Sequence, residues 1–447
     1  MRRFVPLLLV LAACSQNPVA DTSTTTTTTP TTTTLGAADI YALVSPSLAF
    51  VETPIGSGSA VLVDASTLVT NAHVVWPAEQ VTVSFPNGVG GLVEVVGYDW
   101  MADLAVLDAS GLSGLPAPVV LDTTDRQPGE PVYLVGYPAD DPGTAAPAIT
   151  AGIVSRTRTW ELGGMTFIQS DALISGGQSG GALVDDRGEV IGISGLSVGE
   201  GFALALSAAD LQTRLGEIRS GIDRYGLGDR SMRALSGGPS TQLSVPHILD
   251  ETVFVFDGRA GDAVSIELNA SAVFNADLVG PDGYVEAATD TPDTFALLEA
   301  DLILDGPYFV VVYPETEPLD TVTVSGVDTR QWADPDHGKA LSVGSPLAGN
   351  GDYPGDLDWF RLDLTAGQTV TITVSSVNID AALLVDLLDP ANTSAFASDS
   401  DSGGGVIGYD ARVIFTAPET TTYSVAVFDE TGFGPGGYIV SVAEGRG

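Results

Sequence analysis

Glycine-punctuated runs of alternating apolar and polar residues recur along this chain. Examples are Ser59-Ala60-Val61-Leu62-Val63, Val81-Thr82-Val83-Ser84-Phe85, Pro131-Val132-Tyr133-Leu134-Val135-Gly136 and Glu189-Val190-Ile191-Gly192-Ile193. Segments so short and so rich in β-branched residues suit pleated strands better than helices. The 52 glycines and 27 prolines supply the turns, so the reading is a mainly β protein of antiparallel barrels or sandwiches. One segment departs from this: Leu211, Leu215 and Ile218 fall at helical spacing and predict an amphipathic helix over about Ala208 to Ser220. At 44% hydrophobic the chain can bury real cores, and 447 residues suggest about three folded units.

The second half repeats itself. Phe254-Val255-Phe256-Asp257 with Ala260-Gly261 is echoed 106 residues later by Phe360-Arg361-Leu362-Asp363 with Ala366-Gly367. Leu278-Val279-Gly280-Pro281 is echoed by Leu387-Leu388-Asp389-Pro390, and Tyr308-Phe309-Val310-Val311-Val312 by Tyr423-Ser424-Val425-Ala426-Val427. A slowly growing offset places insertions in loops between equivalent strands, as in two tandem β-sandwich modules over about 244–327 and 338–445. Residues 223–243 read as a linker, and the first unit spans 37–222.

The N-terminus reads as an address. Arg2 and Arg3 precede an apolar run from Phe4 to Ala13, too short to span a bilayer and suited to a signal-peptide core over 1–13. It ends in Leu11-Ala12-Ala13-Cys14, which resembles a bacterial lipobox and implies lipid on Cys14, the one cysteine of the chain. A single cysteine excludes an intramolecular disulfide framework and cysteine-based zinc fingers. Eleven threonines between residues 22 and 34 cannot form a core, so 14–36 reads as an extended stalk. The expectation is an exported protein at a bacterial cell surface or in the periplasm, meeting the membrane through the lipid anchor only. Its formal charge of −40, from 57 acidic and 17 basic side chains, repels phosphate backbones and argues against nucleic-acid binding.

Chemistry is concentrated in the first unit. Gly176-Gly177-Gln178-Ser179-Gly180-Gly181 sets one serine in a glycine-rich turn, which exposes a hydroxyl and lets backbone N–H groups approach a developing oxyanion. A serine nucleophile needs a general base. Of the chain's three histidines only His73, in Thr70-Asn71-Ala72-His73-Val74, lies in this unit. A carboxylate must then fix the imidazole tautomer. Asp103, in Ala102-Asp103-Leu104-Ala105-Val106, sits among apolar residues at a strand start and is favoured over Asp99 and Asp108.

These motifs, in the order His, Asp, Ser, together with Gly56-Ser57-Gly58-Ser59 and Gln169-Ser170-Asp171-Ala172, resemble the trypsin-like serine proteases of the HtrA type. The resemblance implies a chymotrypsin-like double β-barrel protease domain, an active site between the barrels, and protein or peptide substrates. It assigns Ser179 as nucleophile, His73 as base and then acid, and Asp103 as orienting carboxylate, with the N–H groups of Gly177 and Ser179 as oxyanion hole. It also implies a substrate pocket lined by Leu173, Ile174, Ser175 and Leu196, with Phe202-Ala203-Leu204 nearby. No acid in that first segment predicts cleavage after small or medium aliphatic residues. Gln178 departs from the usual Asn or Asp of the family, and no PDZ-like domain follows, so oligomerisation and peptide gating do not carry over.

The two C-terminal modules resemble the bacterial pre-peptidase C-terminal domain, the second more closely through Gly355-Asp356-Leu357-Asp358-Trp359-Phe360 and Thr416-Ala417-Pro418-Glu419. Trp359 is expected in a core. No cofactor is required by the chemistry; Asp356, Asp358, Asp399 and Asp401 are weak calcium candidates against the reading of a solvated acidic loop. By analogy the modules would bind extracellular protein or polysaccharide. The competing reading of the whole is a surface-binding lipoprotein on an inactive protease fold.

Overall fold

The computed structural model describes residues 35–446 except 54–55, 77, 140–145, 199–201, 222–242, 246–250, 290, 332–335, 337, 354, 388–396 and 432–435. The signal segment, Cys14, most of the stalk and most of the 223–243 linker lie outside the described residues.

Helix α1 (Ala37–Val44) leads into the first barrel, formed by β1 (Leu48–Thr53), β2 (Gly56–Leu62), β3 (Thr67–Thr70), the one-turn helix α2 (Ala72–Val75), β4 (Gln80–Ser84), β5 (Gly90–Asp99) and β6 (Leu104–Asp108). Its six strands close in the order β1-β2-β3-β6-β5-β4. The second barrel comprises β7 (Pro131–Gly136), β8 (Ala148–Trp160), β9 (Met165–Leu173), β10 (Ala182–Asp185), β11 (Val190–Val198) and β12 (Phe202–Ser207), closed as β10-β11-β12-β9-β8-β7. Closure pairs every edge, which is how short strands of this kind reach stability without exposing a ladder. Helix α3 (Ala208–Arg219) follows, capped by Ser207 Oγ accepting from Asp210 N at 3.2 Å, with Leu211, Leu215 and Ile218 buried. The expected helix is therefore present, and α1, which the strand-dominated reading did not include, adds Ile40 and Val44 to the same core.

The first C-terminal module is a single folded-over sheet. It contains β13 (Leu243–Val245), β14 (Thr252–Gly258), β15 (Ala263–Val279), β16 (Val285–Ala288), β17 (Asp293–Asp301), β18 (Gly306–Pro314), β19 (Leu319–Ser325) and β20 (Arg330–Gln331). The long β15 makes the fold: its first half pairs β17 and β19, and its second half pairs β18 and β16. Strand β20, beyond residue 327, pairs β14. The second module is a sandwich of two four-stranded sheets, built from β21 (Leu347–Gly351), β22 (Leu357–Leu364), β23 (Thr369–Ser376), β24 (Ala381–Leu387), β25 (Ala397–Asp399), β26 (Ala411–Thr416), β27 (Thr421–Asp429) and β28 (Gly436–Glu444). The sheets run β21-β28-β23-β26 and β22-β27-β24-β25. Trp359 is buried at its core edge.

The repeat is visible in the register. Phe256 lies opposite Tyr308 and Leu362 opposite Tyr423. Each tyrosine turns its hydroxyl back onto a carbonyl four residues earlier, Leu304 and Glu419, both at 3.0 Å. The middle echo is two residues out, since Leu278 faces Val310 whereas Val385, not Leu387, faces Val425.

The copies differ on their outer faces. Val253, Val255, Phe309 and Val311 turn away from the first module's own core and bury against the first barrel. The unbroken apolar runs Val253–Phe256 and Tyr308–Val312 reflect this burial on both faces. At the position matching Val255 the second module carries Arg361, which is exposed. Phe309 stacks on Trp76 at 6.4 Å between ring centroids and on Tyr353 at 5.3 Å, so barrel and both modules share one aromatic cluster. The second module packs Val377, Val406 and Ile439 into the core that also holds Met101, Ala102 and Trp160.

Candidate active site

Three loops deliver the candidate triad. His73 stands on α2, immediately after β3; Asp103 ends the turn between β5 and β6; Ser179 lies in the loop between β9 and β10 of the other barrel. The histidine and the acid meet closely. His73 Nδ1 is 2.7 Å from Asp103 Oδ2, and the His73 amide donates to Asp103 Oδ1 at 3.1 Å, so both carboxylate oxygens are committed to one residue. Asp103 is only 1% exposed, whereas 42% of the His73 side chain is open to solvent. Burial would lower the His73 pKa, but the Asp103 charge and hydrogen bond outweigh it and hold it above the usual 6.5. Solvent on the open side of the ring screens the pair.

Asp103 is also the one non-glycine residue with positive φ (49°) among the described residues. Aspartate tolerates this region better than most residues, yet holding it there still costs roughly 1 kcal/mol or more. The turn is fixed from several sides. Asp99 Oδ1 accepts from Ala102 N at 3.1 Å, and its Oδ2 accepts from Arg214 of α3 at 3.2 Å. Asp99 is thus a structural partner of the turn, and Asp108 is exposed with its carboxylate on Ser110; neither competes for His73.

The nucleophile loop is held differently. Gly177 and Gly180 take φ of 83° and 80°, conformations glycine adopts freely. A Cβ on Gly180 would strike the Ser59 carbonyl and Thr70 Oγ1. Ser59, buried on β2, clasps the loop by two bonds: its amide donates to Ser179 O (2.8 Å) and its hydroxyl donates to Gly177 O (2.9 Å), while Tyr137 N donates to that hydroxyl (2.8 Å). Gln178, 2% exposed, accepts from Ser175 N (2.9 Å) and Ser175 Oγ (3.1 Å) and closes the loop on itself. That is what a side chain one methylene longer than Asn achieves here. Among the described residues neither the Gly177 nor the Ser179 amide N–H meets an acceptor, as an oxyanion hole requires. Ser179 Oγ donates to Gly195 O at 3.3 Å; resting catalytic hydroxyls commonly tighten onto their base only with substrate bound.

One side chain joins the two halves. Asn71 accepts from Gly180 N at 2.6 Å and donates to Asp103 O at 2.8 Å, two residues before His73. Asn71 and Ser59 stand within the sequence motifs, but their bridging roles depend on barrel closure and could not be read from spacing.

At the substrate end, Leu173 is 67% exposed and pairs with Phe202, 37% exposed, across β9 and β12. Ile174 leans on the second barrel's core and Leu196 on the core shared with the modules, while Ser175 is exposed. Asp171, the acid just upstream, accepts from Ile153 N at 2.7 Å.

The four calcium candidates are dispersed in role. Asp356 accepts from Asp352 N, Asp358 binds the Tyr438 hydroxyl, and Asp399 accepts from Ser402 and Arg412 amides. Asp401 instead converges with Asp380 and Glu430, whose oxygens lie within 4.8 Å of one another. A second acidic group, Asp122, Asp185 and Glu189, is interleaved with Arg126 and Arg187. Burial would raise the Asp122 pKa, but bonds from Thr124 and Arg126 hold it at about 2.

Two closed six-stranded barrels with a His–Asp pair on one and a glycine-cradled serine on the other define the class: a trypsin-like peptidase fold of the chymotrypsin double-barrel type. Residues 58–193 match the trypsin-like peptidase domain family, and residues 356–429 the bacterial pre-peptidase C-terminal domain family. Serine protease HTRA1A of Danio rerio is 34% identical over 198 residues, 40% of this chain and 40% of that protein. Serine protease PepD of Mycobacterium tuberculosis (strain ATCC 25618 / H37Rv) is 29% identical over 283 residues, 53% of this chain and 60% of that protein. The chain therefore spans less than two thirds of the length of either relative. A solved HtrA-type protease, AlgW with tripeptide, is 31% identical over 42% of this chain and 64% of its own, at a TM-score of 0.38. The fold assignment rests on strand pairing and not on that superposition.

Proposed function

We propose that the chain is a serine endopeptidase acting on protein or peptide substrates through Ser179, His73 and Asp103. The observation that carries it is the 2.7 Å His73–Asp103 pair, joined through Asn71 to a serine loop with two unengaged N–H groups. In the reaction Ser179 Oγ attacks the scissile carbonyl and His73 Nε2 takes its proton. Asp103 stays ionised and stabilises the imidazolium, while the N–H groups of Gly177 and Ser179 receive the oxyanion. His73 then protonates the leaving amine. Water, deprotonated by the same imidazole, cleaves the acyl-enzyme and restores Ser179. The His73–Asp103 pair and the glycine-cradled Ser179 disfavour the reading of an inactive binding protein.

The exposed apolar pair Leu173 and Phe202, with no acid in the segment Leu173-Ile174-Ser175, supports cleavage after small or medium aliphatic residues. A fluorophosphonate probe should label the full chain at Ser179, with unfolded casein cut by wild type and spared by Ser179→Ala. A peptide library should yield aliphatic residues before the scissile bond. Absence of labelling would overturn the enzyme reading, and cleavage after basic residues would overturn the pocket. Export and lipid on Cys14 rest on the sequence pattern alone; membrane retention unchanged in Cys14→Ser would refute the anchor. No helix among the described residues is long and apolar enough to cross a membrane.

A further inference from the structure

The second C-terminal module touches the catalytic apparatus. Its turn between β23 and β24 sends Asn378 Nδ2 to the Trp100 carbonyl at 2.6 Å, a contact 278 positions apart in sequence. Trp100, 2% exposed, opens the turn that ends in Asp103. Next to it, Gly437 of β28 lies so close that a Cβ there would fall 2.8 Å from Met101 N and 3.0 Å from Met101 Cα. Ser376 Oγ couples the two contacts, donating to Gly437 O at 2.7 Å and accepting from Asn378 N at 3.2 Å. The Trp100 ring has no slack either, stacked on Tyr98 at 6.4 Å and edge-on to Trp76 at 6.3 Å.

A left-handed aspartate persists only where its surroundings over-determine the backbone. Within the protease barrels, Arg214 and Asn71 hold the two ends of the Asp99–Asp103 turn. Its middle, Trp100 and Met101, is held by the module. We infer that Asn378 and Gly437 are positioning residues for Asp103, so that the second module is a working part of the peptidase site and not only a tethered appendage. The inference rests on the proposed triad. It assigns the module a task that a freely hinged domain could not perform: clamping the carboxylate turn at the distance the imidazole needs.

The test uses the full chain with Asn378→Asp, which keeps the side-chain shape but replaces the donor with a carboxylate facing a carbonyl. Gly437→Ala, which pushes on Met101, is the second variant, so that one decides if the other fails to fold. Both are expected to lower kcat on an aliphatic chromogenic peptide about tenfold with KM within twofold. Both should also move the acid limb of the kcat/KM profile to lower pH, because a displaced Asp103 supports imidazolium less well. A role confined to stability would lower Tm and leave the profile in place. Folded variants with wild-type kcat and an unmoved acid limb would overturn the inference while the wild type still labels at Ser179. If wild type itself does not label, the triad reading fails and the inference falls with it.

Discussion

The nucleophile loop and the carboxylate turn solve the same problem in opposite ways. Residues 176–181 use glycine where φ is positive and are held partly by a near neighbour, Gln178 on Ser175, and partly from the other barrel, by Ser59 on Gly177 and Ser179 and by Asn71 on Gly180 N. Residues 99–103 put an aspartate at positive φ and hold it with Arg214 from α3, Asn71 beside His73 in the same barrel and Asn378 from another module. Both segments are held by groups outside them, but only the turn is also held by a C-terminal module. Contacts between the barrels thus hold the candidate oxyanion hole, and the whole assembly holds the carboxylate that orients the imidazole.

The largest effect should come from the turn. Asn is as tolerant of the left-handed region as Asp, so Asp103→Asn keeps the backbone and removes the charge. A loss on the order of 10⁴-fold in kcat is expected, because the amide favours the wrong imidazole tautomer. The pH dependence follows from the raised His73 pKa. Activity needs neutral imidazole, so the wild-type acid limb should fall above 6.5 and that of Asp103→Asn below it, where burial acts alone. Stability runs the other way. A raised folded-state pKa stabilises fully below 6.5 and the contribution disappears as pH rises through the folded value, so the Tm gap between wild type and variant should narrow with rising pH. An acid limb common to both would break the assignment of Asp103.

Gly180→Ala attacks the loop instead. Left-handed backbone and a Cβ driven into the Ser59 carbonyl together cost about 3 kcal/mol, or about 100-fold if felt at the transition state. Because the His73–Asp103 pair itself keeps both its bonds, the residual activity should keep the wild-type acid limb. Tm and kcat are the measurements, and near-normal values of both would show that the loop is not the tight clasp described.

How far the sequence carried depends on the range of the forces involved. His73, Asp103 and Ser179 stand in local motifs that can be read one at a time, and the structure sets His73 against Asp103. Helix α1 was not, since eight residues with only Ile40 and Val44 buried barely define a period. The one-turn α2 is shorter than any periodic signal. In the first module the runs at Val253–Phe256 and Tyr308–Val312 did carry a trace of tertiary contact, as strands buried on both faces lose their polar alternation. Asn378 had no such mark, because a polar residue in a sandwich turn is the ordinary case and its partner is a main-chain carbonyl.

The smallest effect distinguishes clasp from clamp most cleanly. Gln178→Ala removes two bonds from Oε1 to Ser175, whose exposed amide and hydroxyl can turn to water instead. The net cost is then near 1 kcal/mol, about fivefold in kcat. Gln178→Asn should behave alike, since a side chain one methylene shorter cannot span the 2.9 Å bond without moving the Ser179 backbone. Neither change reaches the His73–Asp103 pair, so the acid limb should stay where it is. If Gln178→Ala shifted the limb as Asn378→Asp is expected to, loop and turn would be one coupled unit and the division between local and remote support would have to be abandoned.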